Sequence, residues 1–259
     1  MRGALLRIWA IAINTVRQAI RSKLLYTLLF FALILIGAGV LVSTLSYVEH
    51  TRIVQDIGLA AIRIFSIGIA IFVGVGLIHD EVDRRTIYTI LSKPVSRSEF
   101  ILGKYLGLVL TIWLQLAIMT IAFVCVSVAV GAPIDAGHFA ALGLTAIELM
   151  LMVAVATFFS AFTTPMLASL FTVGIYFAGH LSRDLHQLGQ QADMQGLETV
   201  TQVLFWSLPD LESFNLTVEA VHGLAIPASA IWLPVAYGIL YSSLLLVAAA
   251  FVFERRDLR

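Results

Sequence analysis

Apolar residues run in six long stretches separated by polar breaks: Leu24 to Leu45, Ile57 to His79, Ile101 to Val130, His138 to Ser160, Pro165 to His180 and Ala230 to Phe253. A helix rises 1.5 Å per residue, so about 20 apolar residues cross the hydrocarbon of a bilayer. Each stretch reaches or approaches that length, and the pattern predicts six transmembrane helices with both chain ends on one side. Ahead of them Leu5, Ile8, Trp9, Ala12, Val16, Ala19 and Ile20 recur at helical spacing, with Arg7, Asn14, Gln18 and Arg21 on the opposite face. Residues 1–23 therefore read as an amphipathic helix lying in the membrane interface, its basic side toward the head groups. A crossing helix is the alternative, but Arg7, Arg17 and Arg21 interrupt it. Arg7 also splits what would be the apolar core of a signal peptide, so the segment is expected to be retained.

Two regions break the apolar rhythm. Residues 80–104 read DEVDRRTIYTILSKPVSRSEFILGK, a charged insert that must lie in water between the second and third stretches. Pro94 ends one short helix there, and Ser96 with Glu99 three residues later forms a capping box for a helix leading into the third stretch. A short helix rigidly joined to two membrane helices can transmit a push. Residues 181–229 are acidic through Asp184, Asp193, Glu198, Asp210, Glu212 and Glu219, yet carry Leu197, Val200, Leu204 and Trp206. That is too much apolar surface for a free linker, and short helices partly re-entering the membrane are expected. The fourth and fifth stretches are joined by AFTTP, a tight turn that predicts an antiparallel hairpin.

Composition agrees. Hydrophobic residues make up 60% and charged residues 12% of the chain, and mean hydropathy is +0.97, whereas charged residues alone run near ~25% in soluble proteins. The chain is an integral membrane protein by this measure. Its formal net charge of +0 conceals an asymmetry along the sequence. Arg2, Arg7, Arg17, Arg21, Lys23, Arg84, Arg85, Lys93, Arg97, Lys104, Arg255, Arg256 and Arg259 fall on the side of the termini, and only Arg52 and Arg183 on the other. Basic residues gather on cytoplasmic loops, so both termini and residues 80–100 are expected in the cytoplasm and 181–229 outside. The lipid bilayer is the environment implied, and no nucleic-acid partner is expected. Cys125 is the only cysteine, which rules out an intrachain disulfide.

Catalytic constellations are absent from the sequence. The one Gly-Lys pair, Gly103-Lys104, is followed by Tyr105, where a phosphate-cradling P-loop needs Ser or Thr. There is no Gly-x-Ser-x-Gly elbow for a serine hydrolase. His50, His138, His180, His186 and His222 lie near the acidic side; His180 and Asp184 alone share a helix-face spacing, and interfacial hydrogen bonding is preferred to a metal site. Arg63 and Glu148 are ionisable residues inside the second and fourth stretches. A charge at that depth costs at least ~2.5 kcal/mol, so both must face the protein interior. Their depths differ by roughly 6 Å, a gap that an arginine side chain spans. They either line a substrate path or pair to fix helix register. Gly37, Gly39, Gly74, Gly76 and the Gly103-x-x-x-Gly107 spacing allow helices to approach closely.

The insert carries a family resemblance. Glu81, Asp83, Arg84, Arg85, Thr86, then Leu91, Ser92, Lys93, Pro94, Val95, Ser96, Arg97, and after a gap Gly103 and Lys104, resemble the signature of ATP-binding-cassette exporter permeases of the type-two (ABC-2) family. Arg85-Thr86-Ile87 stands where many members have Gly-Thr, and is most similar to the branch with the nitrous-oxide-reductase maturation permease and the gliding-motility permeases. The layout of the whole chain is similar as well. The resemblance implies an all-α membrane permease of a bacterial inner membrane, paired with a second, identical permease chain and with two copies of a separate ABC ATPase. It implies no cofactor on this chain, with ATP and magnesium held by the ATPase. Glu81, Asp83, Arg84, Arg85, Thr86, Tyr88, Leu91, Lys93, Pro94, Arg97 and Glu99 would then couple the permease to the ATPase, and Arg63 and Glu148 would be substrate-path candidates. The rival expectation is a membrane anchor or regulatory protein that binds a soluble partner and transports nothing.

Overall fold

The computed structural model describes residues 2–44, 49–83, 96–191, 201–202 and 207–255. Among these every regular element is helical: α1 (Arg2–Ile20), α2 (Lys23–Ser43), α3 (His50–Asp83), α4 (Arg97–Ala129), α5 (Ala136–Ser160), α6 (Pro165–Gln191), a 3₁₀ turn (Glu212–Phe214), α7 (Thr217–His222) and α8 (Ser229–Arg255). Six of them, α2, α3, α4, α5, α6 and α8, are long and apolar enough to cross a membrane. Several run beyond their apolar stretch. α3 starts at His50 and ends at Asp83 inside the charged insert, α4 starts at Arg97, and α6 continues past His180 to Gln191. Hydropathy marks only what lies in hydrocarbon, whereas backbone hydrogen bonding carries a helix past that limit until a cap stops it.

Local chemistry sets the starts of α4, α5 and α6 and the end of α7. Ser96 accepts from the Glu99 amide at 3.2 Å while the Ser96 amide donates to Glu99 Oε2 at 3.2 Å, the capping box expected for α4. Asp135 and His138 make the equivalent box for α5. The His138 side-chain hydrogen bond holds the Asp135 carboxyl below its ordinary range. At the other end of α5, the Thr163 amide donates to Phe159 O at 3.0 Å and Pro165 opens α6, so the turn reverses the chain within a few residues. Proline is suited to that first position because its missing N–H has no partner there anyway. Gly223, at φ 61°, closes α7 in the left-handed conformation that glycine adopts without strain.

The bundle is built around α3 and α5, each buried over 61% of its crossing window, against 22% for α2, α6 and α8. α5 packs on α3, α4, α6, α7 and α8, which is why Leu149, Leu151, Met152, Val153 and Ala154 are sealed from solvent. The chain between α6 and α8 is part of this core. Leu211, Phe214, Ala220 and Val221 are buried, and the Leu211 amide donates to Gly179 O at 3.3 Å. The 3₁₀ turn and α7 are short helical pieces before the last span, as expected, whereas Leu197, Val200, Leu204 and Trp206 lie outside the described residues.

α1 lies along α4. A Cβ placed at Gly107 would stand 2.6 Å from the Ala12 carbonyl oxygen, and one at Gly103 would stand 2.7 Å from Ile11 Cβ. The glycine pair of the third apolar stretch is thus used within one chain, as a groove for the N-terminal helix. Ala12, Thr15 and Ala19 are fully buried on that side, while Leu5, Leu6 and Trp9 point outward. Gly107→Ala is expected to lower thermal stability in detergent by about 1–3 kcal/mol through overpacking. Gly143→Ala, where an added Cβ meets nothing within 4 Å, should be neutral or slightly stabilising. Equal midpoints for the two variants would show that α1 is not held in this groove.

Candidate functional site

Two polar constellations stand out in an otherwise apolar bundle, one inside it and one at the end where the termini lie. Inside, Arg63 of α3 donates from Nη2 to Glu148 Oε2 of α5 at 3.1 Å, so the pair anticipated from helix depth is formed. Glu148 is 1% exposed. A third member comes from α6, where His180 Nε2 lies 2.9 Å from the same Arg63 nitrogen and 3.3 Å from Glu148 Oε1. His180 Nδ1 is 3.0 Å from the Tyr176 carbonyl oxygen, which can only accept, so Nδ1 carries a proton. In the neutral ring Nε2 is then the acceptor for Arg63, and its approach to Glu148 Oε1 is a contact between two acceptors. One guanidinium therefore binds a carboxylate and an imidazole together and ties α3, α5 and α6.

The histidine was not legible from sequence as a partner. It reads as the boundary residue of a short apolar stretch, and only the packing of α6 on α3 and α5 turns it inward. Lys104 was likewise placed in the tail of the insert, but it is 1% exposed and its Nζ donates to Gln18 Oε1 of α1 at 3.1 Å. A lysine this deep needs acceptors supplied by the protein.

The second constellation is the head of α4. Arg7 of α1 binds Glu99 through two parallel hydrogen bonds, Nε to Oε2 at 2.9 Å and Nη2 to Oε1 at 2.7 Å. This fork geometry fixes orientation as well as distance. The same carboxylate caps α4. Arg97 Nη1 donates to the carbonyl oxygens of Phe253 and Glu254 in α8, both at 3.0 Å. Phe100 stacks on Phe253 with ring centroids 6.2 Å apart. The first turn of α4 is thus bound to α1 on one side and α8 on the other.

Of the coupling residues expected from sequence, Arg97 and Glu99 fall in this clamp. Glu81 and Asp83 belong to the last turn of α3. Arg84, Arg85, Thr86, Tyr88, Leu91, Lys93 and Pro94 lie outside the described residues. The basic face of α1 is also used differently from a simple interfacial helix, since Arg7 and Gln18 reach α4 instead of head groups alone.

Residues 9–258 match the family model described as ABC-2 family transporter protein. The chain belongs to the ABC-2 transporter family. Comparison with curated proteins finds no match. Membership of the ABC-2 family makes the chain a membrane component of an ABC transporter and implies partnership with an ABC ATPase. In this ABC-2 chain the described residues bring together no group of three or more metal-ligating side chains.

The buried pair predicts a specific coupling. Glu148→Leu leaves Arg63 charged in an apolar bundle and should lower stability by about 3–5 kcal/mol. Arg63→Leu in the same chain should recover most of that loss. Thermal unfolding of the two single variants and the double variant in detergent gives the cycle, and additive losses would show that the two groups do not interact.

Proposed function

We propose that this chain is the membrane-spanning permease subunit of an ABC exporter. Two ATPase chains, each holding ATP and magnesium, dock on the inserts of two identical permease chains in a bacterial inner membrane, with the termini and insert in the cytoplasm. The Arg85-Thr86-Ile87 sequence supports the branch that contains the nitrous-oxide-reductase maturation and gliding-motility permeases. ATP-driven approach of the two ATPases pulls the inserts together and rearranges the spans along a path between the two permeases.

One observation carries this reading: the helix that leaves the insert is clamped at its first turn to α1 and α8, through Glu99 and Arg97. A plain loop at the membrane surface has no use for such fixation, whereas a lever does. Displacing the insert would displace α1, α4 and α8 together. In this account Arg84, Arg85 and Lys93 make polar contacts with the ATPase, and Tyr88 and Leu91 fill an apolar cleft in it. Arg97 and Glu99 act one step behind them as positioning residues. Arg63 Nη2 and Glu148 Oε2 bind one another within a single chain, which favours a role in fixing α3 against α5 over direct contact with cargo.

Coupling is tested by pull-down of the co-expressed ATPase and by permease-stimulated ATP hydrolysis in nanodiscs. Arg85→Glu and Leu91→Asp should each weaken docking by about 2 kcal/mol or more, as expected for interface anchors, with normal permease expression. Arg7→Glu should leave pull-down intact and reduce stimulation several-fold, and adding Glu99→Arg should restore part of it. Survival of both readouts in Arg85→Glu and Leu91→Asp, with normal expression, would show that the insert is only a surface loop and would remove the main physical support for the exporter reading.

A further inference from the structure

Two cavities lie one above the other between α6 and α8, which both pack on α5 but, among the described residues, make no extensive contact with each other. The larger, about 480 Å³, opens at the end of the bundle opposite the termini. Its polar wall holds Arg183, Asp210, Glu212 and Glu219, and Leu233 and Tyr237 form part of its apolar side. The smaller, about 140 Å³, lies deeper and is apolar, between Phe158 and Phe159 of α5, Ile175 of α6, and Tyr241 and Leu245 of α8. Pro209 borders the lower cavity and Asp210 the upper one. The Asp210 amide donates to Tyr237 Oη at 3.2 Å, and the Tyr237 and Tyr241 ring centroids are 5.6 Å apart. The Pro209–Asp210 peptide and the Tyr237 and Tyr241 rings thus stand where the two cavities adjoin. From Tyr237, which lines the upper cavity, to Leu245, which lines the lower, α8 rises about 12 Å.

Charge decides what fits. The upper cavity has three carboxylates against one guanidinium. Arg183 Nε and Nη2 both donate to Asp210 Oδ2, at 3.0 and 2.6 Å, which leaves three of its five donors for an anion. Glu212 accepts from Asn215 at 2.9 Å, and the Glu219 carboxylate has no hydrogen-bond partner among the described residues. A purely apolar occupant would leave Glu219 and the free Arg183 donors without partners, at a desolvation cost. A molecule with an ammonium, a phosphate beside it and a hydrocarbon chain meets each group in turn.

We propose that this cleft binds one zwitterionic aminophospholipid of the adjoining leaflet. Its ammonium sits between Glu212 and Glu219, its phosphate takes the free donors of Arg183, and the start of one acyl chain passes Pro209 into the slot at Ile175 and Leu245. The site lies at the opposite end of the bundle from the ATPase-coupling clamp and does not depend on that reading.

Native mass spectrometry of the full chain in mild detergent, titrated with phosphatidylethanolamine or phosphatidylglycerol, tests it. The wild type should retain one phosphatidylethanolamine per protomer in preference to phosphatidylglycerol. Glu219→Gln, a shape-conserving change, removes a hydrogen bond to a charged group and should cut that preference by about tenfold. Leu245→Trp fills the slot and should lower retention of both lipids. Equal retention of the two lipids by the wild type, or an unchanged preference in Glu219→Gln, overturns the proposal. So does efficient disulfide formation between cysteines placed at Leu245 in two protomers, which would put a second copy of the chain in the cleft.

Discussion

A charge that leaves water for a bilayer must find its counter-charge inside the protein, and the arrangement of this bundle follows from that requirement. Arg63 and Glu148 stand on α3 and α5, the two most buried helices, and His180 brings in α6. Between lipid-facing helices there is little hydrophobic driving force, because the lipid is as apolar as the side chains. Packing of small residues and buried polar contacts therefore choose the neighbours. The ion pair sets α3 against α5, and the remaining helices assemble around these two.

The same logic operates at the end bearing the termini, with a different outcome. Arg7 with Glu99, Gln18 with Lys104, and Arg97 with the Phe253 and Glu254 carbonyls of α8 form a belt around the beginning of α4. Gly103 and Gly107 bring α1 close enough for those polar groups to meet. The central pair holds the bundle against slippage, and the belt joins its first, middle and last helices where the insert re-enters.

Much of this was legible in the sequence, for reasons that differ by residue. The six crossing helices follow from hydropathy, and the Ser96–Glu99 capping box from spacing alone, because both signals are local. The Arg63–Glu148 pair was accessible because an intramembrane charge is costly enough to demand a partner and few partners exist at that depth. His180 was not, since neutral imidazole carries no such demand and its role depends on how α6 packs. Lys104 was misjudged for the opposite reason. It lies next to a charged insert and reads as part of it, yet α1 covers it and supplies Gln18. The Gly103-x-x-x-Gly107 spacing announced close packing without saying against what, and the partner is a helix some ninety residues earlier in the chain, beyond the reach of any local pattern.

The central claim is that the head of α4 moves as a lever when the ATPase binds nucleotide. Spin labels at Ser98, in a chain whose Cys125 is replaced by alanine, report the distance between the two α4 heads of an assembled transporter by pulsed electron resonance. The account predicts that this distance shortens when a nonhydrolysable ATP analogue is added. A distance distribution unchanged in position and width, in a complex shown to have bound the nucleotide, would contradict it.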